Sequence, residues 1–147
     1  MYTIDASVWV NGFDQRESGH QISRQVLELL SQQSIPIVVP NLVLVEVAGA
    51  ISRTRNDPAQ AQMFTIALNH LPNVTIMPLD DMLAHQTLVL AAQHGLRGAD
   101  AVYASVAMQA GCTLITLDNE QLTRLVGVVT AQTPAVALAD LTSSTAP

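Results

Sequence analysis

An α/β fold, with a sheet of about five parallel strands and helices on both faces, is the architecture that the sequence predicts. The first observation is that short β-like runs alternate with helical patterns along the chain, an arrangement typical of a parallel sheet. The second is that 49% of the 147 residues are hydrophobic while only 3% are aromatic. The core must therefore consist of Ala, Val, Leu and Ile, which suit parallel strands covered by helices.

The predicted strands are short apolar runs, most of them bounded by proline or by turn-forming residues. They are residues 2–4, 37–39, 74–77 and 113–117, with a weaker fifth at 128–130. The carboxyl ends of parallel strands meet at one edge of a sheet, and functional sites of such folds lie there.

The predicted helices show apolar residues at helical spacing, with start and stop signals at their ends. Asn41 and Asp57 are expected N-caps, and Gly95 and Gly111 are expected stops. The helices are residues 18–33, 42–52, 58–71, 81–94, 99–110 and a short one at 120–125.

The chain length predicts a single domain, residues 1–141, followed by a disordered tail at 142–147. No apolar run approaches the roughly 20 residues that span a bilayer, and the N-terminus lacks the pattern of a signal peptide. The single cysteine, Cys112, excludes an internal disulfide. These features predict a cytoplasmic protein without a membrane partner.

Charge restricts the functions that the chain can perform. The formal net charge is −6, and all six positive charges are arginines. A basic surface attracts nucleic-acid phosphates, so an acidic chain is a poor general nucleic-acid binder. A nucleic-acid-processing role therefore requires bound metal to reverse the local charge at the site.

Four of the twelve acids occupy unusual positions. Asp5 and Asp118 end predicted strands, Glu46 lies in an apolar helix, and Asp100 lies in the first turn of another helix. A buried carboxylate without a partner costs several kcal/mol, and the arginines are expected in polar loops or on helix faces. The other acids are expected to be solvated or to cap helices: Asp14, Glu17, Glu28, Asp57, Asp80, Asp81, Glu120 and Asp140.

The predicted topology brings the four acids to the same edge of the sheet. If the strands that precede Asp5 and Asp118 are neighbours, both carboxylates reach that edge, and the helices of Glu46 and Asp100 leave from it. Oxygen ligands select hard cations, so the sequence predicts a Mg²⁺ or Mn²⁺ site. Ser7 and Thr116 are expected either to orient the carboxylates through hydrogen bonds or to bond to the local backbone.

Four sequence motifs in order resemble those of the PIN-domain family, specifically the VapC-type toxin ribonucleases of toxin–antitoxin pairs. They are residues 2–8 (YTIDASV), 40–47 (PNLVLVEV), 96–107 (LRGADAVYASVA) and 111–118 (GCTLITLD). The resemblance implies a three-layer PIN-like fold and an RNA-cleaving enzyme that depends on Mg²⁺ or Mn²⁺. It also implies a homodimer and inhibition by a small antitoxin protein.

The predicted reaction is hydrolysis of an RNA phosphodiester bond, with one or two cations held by Asp5, Glu46, Asp100 and Asp118. Arg53, Arg55 and Arg97 are the candidates for contacts with RNA phosphates; solvated charges are their alternative. Trp9 and Tyr103 are expected to be core residues.

Other functions were weighed against this interpretation. Receiver domains and haloacid-dehalogenase-type phosphatases use a lysine, which this chain lacks, and a dinucleotide-binding domain needs a glycine-rich turn after the first strand. The alternative from another class is a catalytically idle PIN-like module that binds protein or RNA. Metal affinity separates it from the nuclease.

Overall fold

The computed structural model describes residues 1–143, so most of the predicted tail, 144–147, lies outside the described residues. A five-stranded sheet with the order β3-β2-β1-β4-β5 and parallel pairing throughout forms its centre, which confirms the predicted fold class. The strands are β1 (Tyr2–Ile4), β2 (Ile37–Pro40), β3 (Val74–Met77), β4 (Thr113–Ile115) and β5 (Ala131–Gln132).

Eight helices connect and cover these strands in the described part of the chain. They are α1 (Ala6–Phe13), α2 (His20–Gln32), α3 (Leu42–Arg55), α4 (Pro58–Asn69), α5 (Asp81–His94), α6 (Gly98–Ala110), α7 (Asn119–Arg124) and α8 (Pro134–Ser143). Successive strand residues point to opposite faces of a sheet, and both Thr3 and Ile4 of β1 are fully buried. Helices therefore cover the central strand on both faces.

The strand order fixes the location of a functional cleft. From β1 the chain builds outwards through β2 and β3, and it then returns to the other side of β1 to add β4 and β5. The order thus reverses between β1 and β4, and ligands bind at the carboxyl edge of a parallel sheet where this reversal occurs. The register pairs Ile4 with Ile115, so both strands end at the same level.

The apolar core lies between the sheet and the helices and is built mostly from aliphatic side chains. Ile4, Leu30, Ile51 and Leu114 are fully buried, and Tyr103 of α6 is the bulkiest fully buried side chain among the described residues. Helix α6 packs against β1, β2 and β4. The core thereby holds the N-terminal turn of α6 near the carboxyl edge of the sheet.

Several local expectations differ from the structure: the strand predicted at 113–117 ends at Ile115, and helices α1 and α8 were not predicted. Val128 and Val129, predicted in a strand, donate backbone hydrogen bonds to Leu125 and close a turn, so the fifth strand begins at Ala131. Asn41 makes no side-chain cap; its Oδ1 accepts a hydrogen bond from the Leu79 backbone instead. Helix α8 extends to Ser143 and so includes the first residues of the predicted tail.

Asp14 was expected to be solvated, but the structure buries it. Its side chain is 5% exposed and accepts hydrogen bonds from Arg16 (Nη2 to Oδ2, 2.9 Å) and Arg55 (Nη2 to Oδ1, 2.9 Å). The two arginines replace the water that the carboxylate loses, and they hold its pKa far below the ordinary range. None of the helices in residues 1–143 is both long and apolar enough to cross a membrane.

Candidate active site

A cleft of about 400 Å³ at the carboxyl edge of the sheet contains all four of the acids singled out from the sequence. Asp5 follows β1 and caps α1, whereas Asp118 follows β4 and caps α7. Asp100 lies in the first turn of α6, and Glu46 lies in the second turn of α3. The other residues that line the cleft are Ala6, Ser7, Arg97, Ala99, Leu117 and Gln121.

Asp5 is fixed by hydrogen bonds from both of the hydroxyl residues singled out above. Its Oδ2 accepts from the Ser7 backbone N–H at 3.2 Å, from the Ser7 hydroxyl, and from the Thr116 hydroxyl at 3.3 Å. The Ser7 oxygen also accepts from the Leu117 backbone N–H at 3.2 Å. Ser7 thus joins the ends of β1 and β4 and aims the Asp5 carboxylate into the cleft.

Asp118 is held ionised by the helix that it caps. Its Oδ1 accepts from the backbone N–H groups of Glu120 (2.7 Å) and Gln121 (3.2 Å), and its own N–H donates to the Thr116 hydroxyl (3.0 Å). Burial by itself raises the pKa of Asp118, but the two backbone donors and Arg97 outweigh it, so the pKa lies below the ordinary value.

Glu46 is bonded to a tyrosine that was expected to serve as packing alone. The hydroxyl of Tyr103 donates to Glu46 Oε2 at 2.6 Å. Burial is the largest cause that raises the pKa of Glu46, and the charges of Asp5 and Asp100 raise it further, against the lowering effect of the Tyr103 bond. Glu46 is therefore one of the two acids of the cleft, with Asp100, whose pKa lies above the ordinary value.

Asp100 is bonded at both of its oxygens. Arg97 Nε donates to Oδ2 at 2.8 Å, and the amide of Gln121 donates to Oδ1 at 3.1 Å. Burial, together with the charges of Asp118 and Asp5, raises the pKa of Asp100 more than Arg97 lowers it. Gln121, which sequence reasoning missed, is 1% exposed, and the sequence signal for it is an amide three residues after Asp118 that a short helix turns inwards.

The three arginines proposed as RNA contacts lie in different places. Arg97 lies in the cleft and bridges Asp100 and Asp118, so an arginine does neutralise two of the four acids, contrary to the expectation from sequence. Arg53 extends along α3 over Gly49, on the helix face that also carries Glu46. Arg55 is not brought to the cleft, because it pairs with Asp14 and covers the Phe13 ring.

The donor set fits a hard divalent cation, although the side chains are not gathered around one point. Asp5, Glu46, Asp100 and Asp118 offer only oxygen ligands, which Mg²⁺ and Mn²⁺ prefer. Within residues 1–143, no group of three or more His, Cys, Asp or Glu side chains is arranged so that it could hold a metal ion as it stands. Arg97 lies between Asp100 and Asp118 in this arrangement.

The comparison with protein families agrees with this architecture. Residues 2–126 match the model of the PIN domain, and the chain therefore belongs to the PIN-domain family. No curated protein matches the sequence significantly.

Solved structures with the same fold span nearly the whole chain. PAE2754 from Pyrobaculum aerophilum is 22% identical with a TM-score of 0.70, and the match covers 97% of this chain and 96% of that one. A toxin–antitoxin complex from Klebsiella pneumoniae is 19% identical with a TM-score of 0.68, covering 91% and 98%. VapC20 from Mycobacterium tuberculosis, a toxin that cleaves the sarcin–ricin loop, is 16% identical with a TM-score of 0.71, covering 88% and 97%.

Proposed function

We propose that this chain is a divalent-metal-dependent endoribonuclease, a hydrolase of RNA phosphodiester bonds, and the toxin of a toxin–antitoxin pair. The observation that carries the proposal is that Asp5, Glu46, Asp100 and Asp118 all line one cleft at the carboxyl edge of the sheet. Membership of the PIN-domain family supports it. The VapC20 toxin, which cleaves the sarcin–ricin loop, has the same fold.

The four acids are the residues that hold Mg²⁺ or Mn²⁺ in this proposal. A bound cation of this kind lowers the pKa of water and offsets the charge on a phosphate that is being cleaved. Asp5 is held in one orientation by Ser7 and Thr116, which act as supports behind it.

The remaining polar groups of the cleft handle the proton and the phosphate. Glu46, with Asp100 as the alternative, helps to remove the proton of the attacking water, because a raised pKa brings a carboxylate closer to neutral pH. Arg97 and Arg53 contact RNA phosphates and compensate for the acidic character of the chain. Since water attacks, the products carry 5′-phosphate and 3′-hydroxyl ends.

The proposed partners are an RNA substrate, a small antitoxin protein and a second copy of the chain in a homodimer. The Klebsiella structure is a complex of toxin and antitoxin, and a VapBC2 complex from Rickettsia felis is bound to a fragment of promoter DNA. An antitoxin is therefore the expected inhibitor of this chain. The buried, unpaired Cys112 suits the reducing cytoplasm, where such a pair acts.

A second candidate, the catalytically idle binding module, is favoured by the net charge of −6, which weakens attraction to RNA. The deciding experiment is cleavage of end-labelled structured and single-stranded RNAs with Mg²⁺, Mn²⁺ or EDTA. Wild type is compared with Asp5→Asn and Asp118→Asn, and Asp81→Asn, an exposed acid of α5, is the matched control.

The nuclease proposal requires metal-dependent cleavage that both site variants lose and Asp81→Asn retains. Recovery of 2′,3′-cyclic phosphate ends contradicts the mechanism. Absence of cleavage, together with absence of Mn²⁺ binding in calorimetry, supports the idle module instead.

A further inference from the structure

The guanidinium of Arg97 occupies the space between two acids of the cleft. Its Nε donates to Asp100 Oδ2 at 2.8 Å, and its Nη2 donates to Asp118 Oδ2. Among the ion pairs of the described residues, these are the ones that involve the four acids of the cleft. Arg97 therefore uses carboxylate oxygens that a bound metal ion needs.

The position of Arg97 in the fold leaves its side chain free to leave the cleft. Arg97 is the N-cap residue of α6, with extended backbone angles, so its side chain projects from the loop before the helix. Its side chain is 63% exposed, whereas those of Asp100 and Asp118 are 11% and 24% exposed. Asp100 is also fixed by the buried Gln121, and Asp118 by the backbone of α7, whereas within residues 1–143 the side-chain hydrogen bonds of Arg97 go to these two acids.

Electrostatics does not allow both cations to keep the same ligands. A guanidinium and a divalent ion at the same carboxylates repel each other, because like charges a few ångströms apart repel even near the protein surface. An exposed ion pair contributes little free energy, because water weakens the attraction between the two charges and the arginine loses side-chain entropy. A divalent ion that gathers several carboxylates gains more from the same oxygens.

We propose that Arg97 is an exchangeable internal counter-ion, which balances Asp100 and Asp118 in the metal-free protein and which a divalent cation must displace. This inference rests on the proposed metal-dependent function. The displaced guanidinium stays tethered at the mouth of the cleft, where an RNA phosphate approaches. Arg97 thus sets the metal affinity of the site and links metal binding to the release of a phosphate-binding group.

Isothermal calorimetry with Mn²⁺ on the full chain tests the competition. The Arg97→Ala variant lacks the two charge-assisted hydrogen bonds that metal must break in wild type. We therefore expect it to bind Mn²⁺ about tenfold more tightly than wild type. Arg24→Ala is the matched control, because it removes the same charge from an exposed pair with Glu28 on α2 and leaves the cleft untouched. Circular dichroism verifies that each variant is folded.

The outcomes separate this inference from the proposed function. Tighter binding by Arg97→Ala than by Arg24→Ala supports the competition, including the case in which wild type binds too weakly to measure. Equal or weaker binding by Arg97→Ala, with measurable binding by wild type, overturns the inference and leaves the metal site standing. Absence of Mn²⁺ binding in all three proteins overturns both.

A second measurement follows the arginine itself. In ¹⁵N-labelled protein, the Nε–H resonance of Arg97, assigned by its loss in Arg97→Lys, reports on the bond to Asp100. Saturation with diamagnetic Mg²⁺ should move this resonance to the position of a solvated arginine and leave that of Arg24 in place. An Arg97 resonance that does not move when the site is saturated overturns the inference.

Discussion

The hydroxyl of Tyr103 in α6 donates a 2.6 Å hydrogen bond to Oε2 of Glu46 in α3, 57 residues away along the chain. Tyr103 is fully buried, so its ring is fixed by the core and its hydroxyl has one position. Glu46 is thereby anchored to the helix that also carries Asp100. The bond opposes the burial that raises the pKa of Glu46.

Substitution Tyr103→Phe should shift the pH dependence of RNA cleavage. Without the hydroxyl, the pKa of Glu46 rises further, so the carboxylate form is lost at a higher pH on the acid side. We expect the acidic limb of the kcat/KM profile to move to higher pH, with the alkaline limb unchanged. Steady-state cleavage of one RNA across the pH range measures this.

The same substitution should also affect stability, by about 1 kcal/mol at neutral pH, the usual contribution of such a bond. Burial raises the folded-state pKa of Glu46, so ionisation of Glu46 above that pKa lowers the free energy of unfolding. The Tyr103 hydrogen bond stabilises the carboxylate and reduces this loss of stability. The loss should therefore be larger at neutral pH than below the ordinary carboxyl pKa. Tyr2→Phe is the control, and identical pH profiles for both variants contradict the assigned role of Tyr103.

The location of the acids could be predicted from the sequence because strand ends and helix starts are local signals. Asp118 follows an aliphatic run, and Asp100 lies in the first turn of a helix that stops at Gly111. The partners of these acids are tertiary: Arg97 reaches Asp118 across 21 residues. No spacing rule in a single sequence reports such a contact.

Helix α1 shows why other parts of the fold were missed. Its start has a readable signal, since Asp5 accepts from the Ser7 backbone as an N-cap, but Asp5 was interpreted as a strand end and a metal ligand, and no helix was predicted after it. Gly12 argues locally against a helix. The glycine fits here because α1 lies close to α2: a Cβ placed on Gly12 would lie 2.9 Å from Leu27 Cδ1 of α2.

Substitution Gln121→Met should weaken the site while retaining its shape. Methionine has a similar volume but donates no hydrogen bond, so Asp100 Oδ1 loses its buried partner and is held less firmly. Loss of such a supporting bond typically lowers metal affinity or activity by about 10- to 100-fold. Mn²⁺ calorimetry and kcat measure it against Gln62→Met, an exposed glutamine of α4; equal behaviour of the two variants contradicts the role of Gln121.

Asp14 should make the fold sensitive to acid. Its hydrogen bonds and ion pairs with Arg16, and its pairing with Arg55, hold its folded-state pKa below the ordinary value, so its ionisation stabilises the protein above that value. This stabilisation disappears as the pH falls through the folded-state pKa. Asp14→Asn should therefore lower Tm at neutral pH, and the difference from wild type should narrow under acid.

Thermal unfolding followed by circular dichroism at a series of pH values measures that difference. Asp81→Asn removes an exposed acid from the first turn of α5 and is the control for net charge. A gap in Tm between wild type and Asp14→Asn that stays constant down to strongly acidic pH contradicts the ion-pair explanation.

Gly111 ends α6 in the left-handed conformation, with φ at 60°, and a Cβ placed on it meets no atom within 4 Å. Gly111→Ala should therefore cost about 1 kcal/mol from backbone conformation alone, since no contact is made or broken. Gly111→Asn should cost less, because asparagine adopts this conformation more readily. Urea unfolding measures both.

The matched comparison is Gly98, at the start of the same helix, where an added Cβ also meets nothing within 4 Å but φ lies outside the left-handed region. Gly98→Ala should leave stability unchanged or raise it by up to about 1 kcal/mol, because alanine lowers the entropy of the unfolded chain. The opposite signs isolate the backbone angle as the cause. Equal destabilisation by both alanines would instead mean that added bulk, rather than conformation, limits the ends of α6.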